Sequence, residues 1–258
     1  MSTNGVVFPP ELVQAMRQAG HIVASTGAGV SAESGVPTFR DAQTGFWAQF
    51  KPEELATPEA FAANPERVWQ WYAVRRRRVR EVQPNPGHLA LAEMERRARR
   101  FTLITQNVDR LHQRAGSRNV VELHGCILSV RCPRGHHVIE DYQDAADEAV
   151  PRCPLCQAYL RPAVVWFGEE LPAHALEAAD TAARQCEVFL SIGTSTLVYP
   201  AAQLPFTALE CGATVVEINP QPTPLTDSAT YTFHGPSGVI LPQLLKAVWG
   251  EMAAPQNP

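Results

Sequence analysis

What most constrains the fold of this chain is the alternation of short apolar runs with amphipathic helical patterns. HIVAST (21–26), FTLITQN (101–107), NVVEL (119–123), EVFLSIG (187–193) and ATVVEIN (213–219) read as strands buried on both faces. Helical patterns lie between many of them: ELVQAMRQ (11–18), HALEAADTAARQ (174–185), AAQLPFTALE (201–210) and GVILPQLLKAVWG (238–250). This alternation predicts an α/β fold on a doubly wound parallel sheet. A chain of 258 residues can bury the core such a sheet needs.

Two stretches break the pattern. Residues 51–100 read as helices without strands, and Asn64-Pro65 and Asn85-Pro86 each supply a cap followed by proline at the first helical position. Residues 130–160 are rich in cysteine, proline and histidine, with little periodicity. Both read as insertions forming a small domain, a helical module (51–100) and a zinc-ribbon module (130–160). Residues 11–50, 101–129 and 161–250 then make a discontinuous large domain.

With 26 acidic and 22 basic side chains the formal charge is −4, which argues against wholesale binding to nucleic acid. The first twenty residues hold no apolar stretch of signal-peptide length, and no segment approaches the length of a spanning helix. A soluble, cytoplasmic protein without membrane contact is expected. In that reducing setting, closely spaced cysteines point to metal rather than disulfides.

HIVAST runs directly into glycines, and Gly27-x-Gly29-x-x-Ala32 fits the dinucleotide-binding fingerprint in its G-x-G-x-x-A form. Glycines there let backbone N–H groups face a pyrophosphate at a helix N-terminus. A plain structural turn is the competing reading, and the usual acidic residue about 20 positions on is missing. Two further strands end in small polar turns, at Gly193-Thr194-Ser195 and at Asn219, where ligands of open α/β sheets collect.

Cys153-x-x-Cys156 follows Cys132 in RCPRGHH…PRCPLCQ. Tetrahedral zinc needs four ligands, and Gly135 stands where a second cysteine of the first pair would be. His136 or His137 could complete a three-cysteine, one-histidine structural site; a metal-free knuckle held by packing is the alternative. Cys126, Cys186 and Cys211 read as core thiols.

Together these stretches resemble the sirtuins, the NAD-dependent protein-lysine deacylases. GAGVSAESGVPTFR (27–40), TQNVDRLHQRAG (105–116), ELHG (122–125), VVWFGE (164–169), IGTSTLVYP (192–200) and EINP (217–220) look like that family's signature segments, in family order. The resemblance implies a Rossmann-type large domain with an inserted zinc-ribbon and helical domain, with NAD and an acylated-lysine protein or peptide meeting between them. It implies that Gly27, Ala28, Gly29, Ala32, Phe39, Arg40 and Trp47 line the cofactor loop. Gln106, Asn107 and Asp109 would surround the nicotinamide and its ribose, and Gly193, Thr194, Ser195, Asn219, Gln221 and Ser237 the adenosine end. Val165 and Phe167 would pair their backbone with the substrate peptide. Cys132, Cys153, Cys156 and His136 would hold structural zinc.

His124 is the residue on which the chemistry would turn. In the family's mechanism the acyl oxygen attacks the ribose carbon and expels nicotinamide. A histidine then takes a proton from a ribose hydroxyl, which attacks the resulting alkylimidate carbon, and water completes release of free lysine and O-acyl-ADP-ribose. An imidazole of ordinary pKa near 6.5 suits such a base. His88 and His112 have no such motif support and read as structural. Position 163 is alanine where many relatives carry histidine, a departure beside the substrate strand.

WQWYAVRRRRVRE (69–81) carries the remaining signal. Tyr72-x-x-Arg75 matches the pair that marks the sirtuin branch acting on succinyl- and malonyl-lysine, and Ala56 in LATPEAF matches that branch too, leaving room for a longer acyl chain. A guanidinium grips a carboxylate through paired N–H bonds and a phenol adds a donor. Arg76, Arg77, Arg78 and Arg80 read as solvated helix faces, with a basic patch formed with Arg96, Arg97, Arg99 and Arg100 as the alternative. Trp69 and Trp71 read as packing residues. The function expected is NAD-dependent desuccinylation or demalonylation with weaker deacetylation. An ADP-ribosyltransferase, or an NAD-sensing regulator associated with nucleic acid, is the alternative.

Overall fold

A computed structural model describes residues 5–37, 51–145 and 149–250. In chain order they form α1 (Pro10–Gln18), β1 (Ile22–Thr26), the short α2 (Ala28–Ala32), then α3 (Pro52–Leu55), α4 (Pro58–Ala63), α5 (Pro65–Glu81) and α6 (Pro86–Arg97). β2 (Phe101–Thr105), α7 (Leu111–Arg114), β3 (Val120–Glu122), β4 (Gly125–Arg131), β5 (Val138–Ile139) and β6 (Arg161–Val164) follow. The chain continues with α8 (Ala173–Gln185), β7 (Val188–Ile192), α9 (Leu204–Glu210), β8 (Thr214–Asn219), β9 (Tyr231–His234) and α10 (Ser237–Trp249).

The main sheet has six parallel strands in the order β3-β2-β1-β7-β8-β9. Setting aside the small-domain strands, that is the 3-2-1-4-5-6 order of the Rossmann fold, whose strand order reverses between β1 and β7. Alternate residues of β1 serve opposite faces, as the two-residue repeat requires. Ile22 and Ala24 join Leu12, Leu91, Met94, Leu241 and Leu244 of α1, α6 and α10. Val23 joins Phe189, Ala179, Ala183, Leu204 and Ala208, the last four from α8 and α9. All five strands expected from apolar runs are present; β9 is an addition at the sheet edge, where YTFH is only half-buried.

The helical module starts its helices as the caps predict. Asn64 Oδ1 accepts the Arg67 amide at 3.0 Å, and Asn85 Oδ1 accepts the amides of Gly87 and His88 at 2.9 and 3.3 Å. The second sheet is antiparallel, β5-β4-β6. Its central strand β4 (125–131) pairs with the outer strand β6 (161–164) around the cysteine-bearing loops, joining residues assigned above in part to the large domain. Neither strand is the continuous apolar run that marks a parallel strand, so the spacing of hydrophobic residues did not expose the pairing.

Within the arginine run, Arg77 and Arg78 are exposed, as the solvated reading expects, whereas Arg76 and Arg80 depart from it. Arg76 is fully buried, forms a bidentate ion pair with Asp144, and lies 4.4 Å over the Trp69 ring. Arg80 reaches the Tyr142 carbonyl and lies near Asp141 and Asp144, and Arg78 donates to the Gly35 carbonyl at 3.1 Å. Arg97 is paired with Glu93 and donates to the Trp249 carbonyl at 2.8 Å. These side chains fasten elements together, which weakens the case for a basic nucleic-acid surface. Trp69 and Trp71 are buried packing residues, as expected.

Candidate active site

The carboxyl ends of β1 and β7, at the reversal of strand order, form the centre of the site. Gly27 N donates to Ile192 O at 3.0 Å and Gly29 N to Gly193 O at 2.9 Å, so the two turns lie backbone against backbone. A Cβ on Gly29 would stand 2.8 Å from Gly193 Cα, and one on Gly193, whose φ is +59°, 2.6 Å from Val30 N. Contact between two turns is thus a sufficient reason for these glycines, ahead of any approach to pyrophosphate. Ala28 and Ala32 are the first and last residues of α2, and Thr194 and Ser195 are half-buried beside it.

A polar chain lines the floor. Asn107 Nδ2 donates to Gly27 O at 2.9 Å and to Ser31 Oγ at 3.0 Å, Ser31 donates to Asp109 Oδ2 at 2.6 Å, and Leu111 N donates to Asp109 Oδ1 at 2.9 Å. Both amide hydrogens of Asn107 are thereby committed, which fixes its carbonyl as the group left to act. Burial pushes the Asp109 carboxyl up, opposed by the Ser31 and Leu111 bonds. Gln106 Nε2 reaches Thr194 Oγ1 at 3.3 Å. Ser31 lies inside the quoted GAGVSAES segment, but sequence reasoning gave it no role.

His124 follows β3. Its Nδ1 lies 2.9 Å from the Gln106 carbonyl, which can only accept, so Nδ1 carries the proton and Nε2 presents a lone pair. Gly125, with φ of +75°, could not carry a side chain, since its Cβ would fall 2.2 Å from Ala163 O. Burial lowers the His124 pKa below 6.5, with the Gln106 bond opposing. A base must be neutral, so kcat/KM should climb with pH along an acid limb centred below 6.5 and level off above it. A pH profile whose acid limb is centred above 6.5 would contradict this setting of the base.

His88 and His112 prove structural in placement. Both are buried, with ring centroids 4.7 Å apart, and His112 Nε2 lies 2.9 Å from Thr26 Oγ1. Desolvation takes His88 down to about 4 and His112 well below the usual value.

The segment expected to meet substrate joins residues of the large domain and the helical module. Val165 N donates to His124 O and Phe167 N to Ala56 O, each at 2.9 Å. The amides expected to meet a peptide strand are thus already used, and their carbonyls are what an added strand would have to pair with. Ala56, Tyr72, Val164, Trp166 and Phe61 share one buried cluster. Tyr72 and Arg75 lie one helical turn apart on α5, with the guanidinium 4.9 Å from the Trp71 ring centre. Burial pushes the Tyr72 phenol up to about 12, and burial pulls Arg75 down while Tyr72 opposes that shift.

Residues 27–200, more than half of the chain, match the Sir2 family. This chain belongs to the Sir2 family. Over 213 residues it is 54% identical to an NAD-dependent protein deacylase of Aquifex aeolicus, covering 83% of this chain and 89% of that one. It is 48% identical over 250 residues to an NAD-dependent protein deacylase of Methylococcus capsulatus, covering 93% and 97%. The solved structure of a Sir2 homologue in complex with NAD superposes with a TM-score of 0.89 at 45% identity, covering 95% of each chain. A mutant Sir2 homologue with 2′-O-acetyl ADP ribose gives 0.89 at 44% identity, covering 97% of this chain and all of that one.

The Sir2-family chain also carries a metal-binding constellation. The ligand atoms of Cys132, His136, Cys153 and Cys156 all lie within 4.8 Å of one another. Cys132 Sγ is 3.7 Å from Cys156 Sγ, and Cys153 Sγ is 3.6 Å from His136 Nδ1. A tetrahedral zinc with Zn–S of about 2.3 Å and Zn–N of about 2.0–2.1 Å requires edges of roughly 3.8 and 3.6 Å, so the donor set fits. His137 Nδ1 is farther from Cys153, at 3.9 Å.

At the expected adenosine end, Asn219 Nδ2 donates to Gln221 O at 2.7 Å. Ser237 Oγ donates to Glu33 Oε1 at 2.6 Å and is buried. Glu217 went unnoticed in the sequence: buried at 2% exposure, it accepts from the hydroxyls of Thr223 and Thr226 and anchors the turn after β8. Phe39, Arg40 and Trp47 lie outside the described residues.

Proposed function

We propose that this Sir2-family protein is an NAD-dependent protein-lysine deacylase that prefers succinyl- and malonyl-lysine to acetyl-lysine. The similarity to curated NAD-dependent protein deacylases supports the activity. Bound NAD would supply a ribose carbon with a leaving group and a hydroxyl to be deprotonated. His124 Nε2 takes that proton while the Gln106 carbonyl holds the ring. Asn107, Ser31 and Asp109 keep the glycine loop and the nicotinamide side in register. The cysteine–histidine cluster holds structural zinc with no open position for catalysis.

The observation that carries the acyl preference is the placement of Tyr72 beside Ala56 in a buried cluster at the substrate segment, with Arg75 a turn away. A carboxylate at the end of the acyl chain would meet a guanidinium and a phenol donor, and acetyl has nothing to offer them. A charge-assisted bond contributes about 1.5–3 kcal/mol, roughly ten- to a hundredfold in affinity. Product formation with NAD on one peptide bearing acetyl-, malonyl- or succinyl-lysine tests it. Wild type should favour the acidic groups, and Tyr72→Phe and Arg75→Met should raise their KM by about ten- to a hundredfold with little effect on acetyl. A wild type that prefers acetyl, matched by both variants, would sink the preference and spare the enzyme class.

None of the described helices is long and apolar enough to cross a membrane. Cytoplasmic placement remains part of the proposal, resting on the composition and on closely spaced cysteines that suit metal rather than disulfides.

A further inference from the structure

We propose that Trp166 is a specificity-positioning residue, whose indole N–H aims the Tyr72 hydroxyl proton at the acyl group. This deepens the proposed preference for acidic acyl groups and rests on it. Trp166 Nε1 lies 2.9 Å from Tyr72 Oη, and both side chains are buried. An indole N–H can only donate, so the phenol oxygen must accept in this bond. The phenol keeps its single hydrogen near the ring plane, where it has two positions half a turn apart. A donor fixed on one side leaves the hydrogen to the other. The tyrosine is therefore set as a donor, the role a carboxylate ligand needs, and burial keeps it protonated.

The indole itself is held firmly. Arg161 lies 3.3 Å over its ring, and Arg161 Nη2 donates to Val164 O and to Glu169 Oε2 at 2.9 and 2.8 Å. The same Glu169 oxygen accepts the Trp166 amide at 2.8 Å, and Phe61 packs against the ring with centroids 5.4 Å apart. Val165 and Phe167, the residues flanking Trp166, bond to His124 and Ala56. One segment thus touches the base, the acyl wall and, through the indole, the acyl-reading phenol. The motif reading passed over Trp166 because its partner stands 94 residues away.

The test is a double-mutant cycle on Trp166→Phe and Tyr72→Phe, with kcat and KM read for succinyl and acetyl peptides. Trp166→Phe alone should lower the succinyl-to-acetyl ratio of kcat/KM about tenfold, mainly through KM, which is the scale of one buried hydrogen bond. In the Tyr72→Phe background the same change should move the ratio less than about twofold, because the hydroxyl it aims is gone. A residue that only fills space would shift the ratio alike in both backgrounds, and that result overturns the inference while leaving the acyl preference standing. If Trp166→Phe does not fold, benzothienylalanine at 166 keeps the indole's shape with sulfur in place of N–H and must give the same tenfold loss. A wild type without acidic-acyl preference overturns both readings together.

Discussion

His124→Ala should lower the rate of lysine deacylation by about 10²–10⁴-fold, the usual contribution of a positioned general base. The Gln106 carbonyl makes Nδ1 the proton-bearing nitrogen, which leaves Nε2 as an acceptor in the neutral ring. In the reaction order expected of the family, nicotinamide leaves before the base acts. Exchange of labelled nicotinamide into NAD should therefore persist in the variant while deacylated peptide does not accumulate. Melting temperature should change little, since His124 is half-buried and makes one side-chain bond. Deacylation at the wild-type rate would remove His124 from the mechanism.

Asp144→Ala should cost about 3–5 kcal/mol of stability, because it strands a fully buried guanidinium. For a chain of this size, that corresponds to a fall in Tm of roughly 6–20 °C by calorimetry. Arg76 is enclosed by Trp69 and Tyr142, whose ring centres lie 4.4 and 5.9 Å from its Cζ, so water cannot replace the lost carboxylate readily. Arg78→Ala, removing a guanidinium that is half exposed and 3.6 Å from Glu81, should cost less than about 1 kcal/mol. Equal losses in the two variants would mean that the Arg76 pair does not join the helical and cysteine-bearing modules as its burial implies.

The expected strands were legible because parallel strands covered on both faces are apolar along most of their length, and the edge strand β3 carries the short apolar run VV. VFLSI of β7 is buried throughout, and so is FTLIT of β2. β9 escaped because an edge strand needs only partial burial, and β4 with β6 escaped because their pairing spans the cysteine-rich loops. His124, the glycine turns and the three cysteines stood in motifs whose residues are neighbours in sequence. Arg76 was misread because Asp144 lies 68 residues away, and no helical periodicity reports a distant carboxylate. Glu217 went unnoticed for the same cause: it is committed by hydrogen bonds that only the folded chain creates.

The contact between the turns after β1 and β7 has a consequence for anyone wishing to redesign this protein. Gly27, Gly29 and Gly193 touch through their backbones, so a methyl group on any one must push the opposite turn away. Variation at these positions is all or nothing, and a library that randomises them singly will return mostly dead clones. Altered nucleotide selectivity is better sought in half-buried residues around that junction that already carry a side chain, such as Ser195.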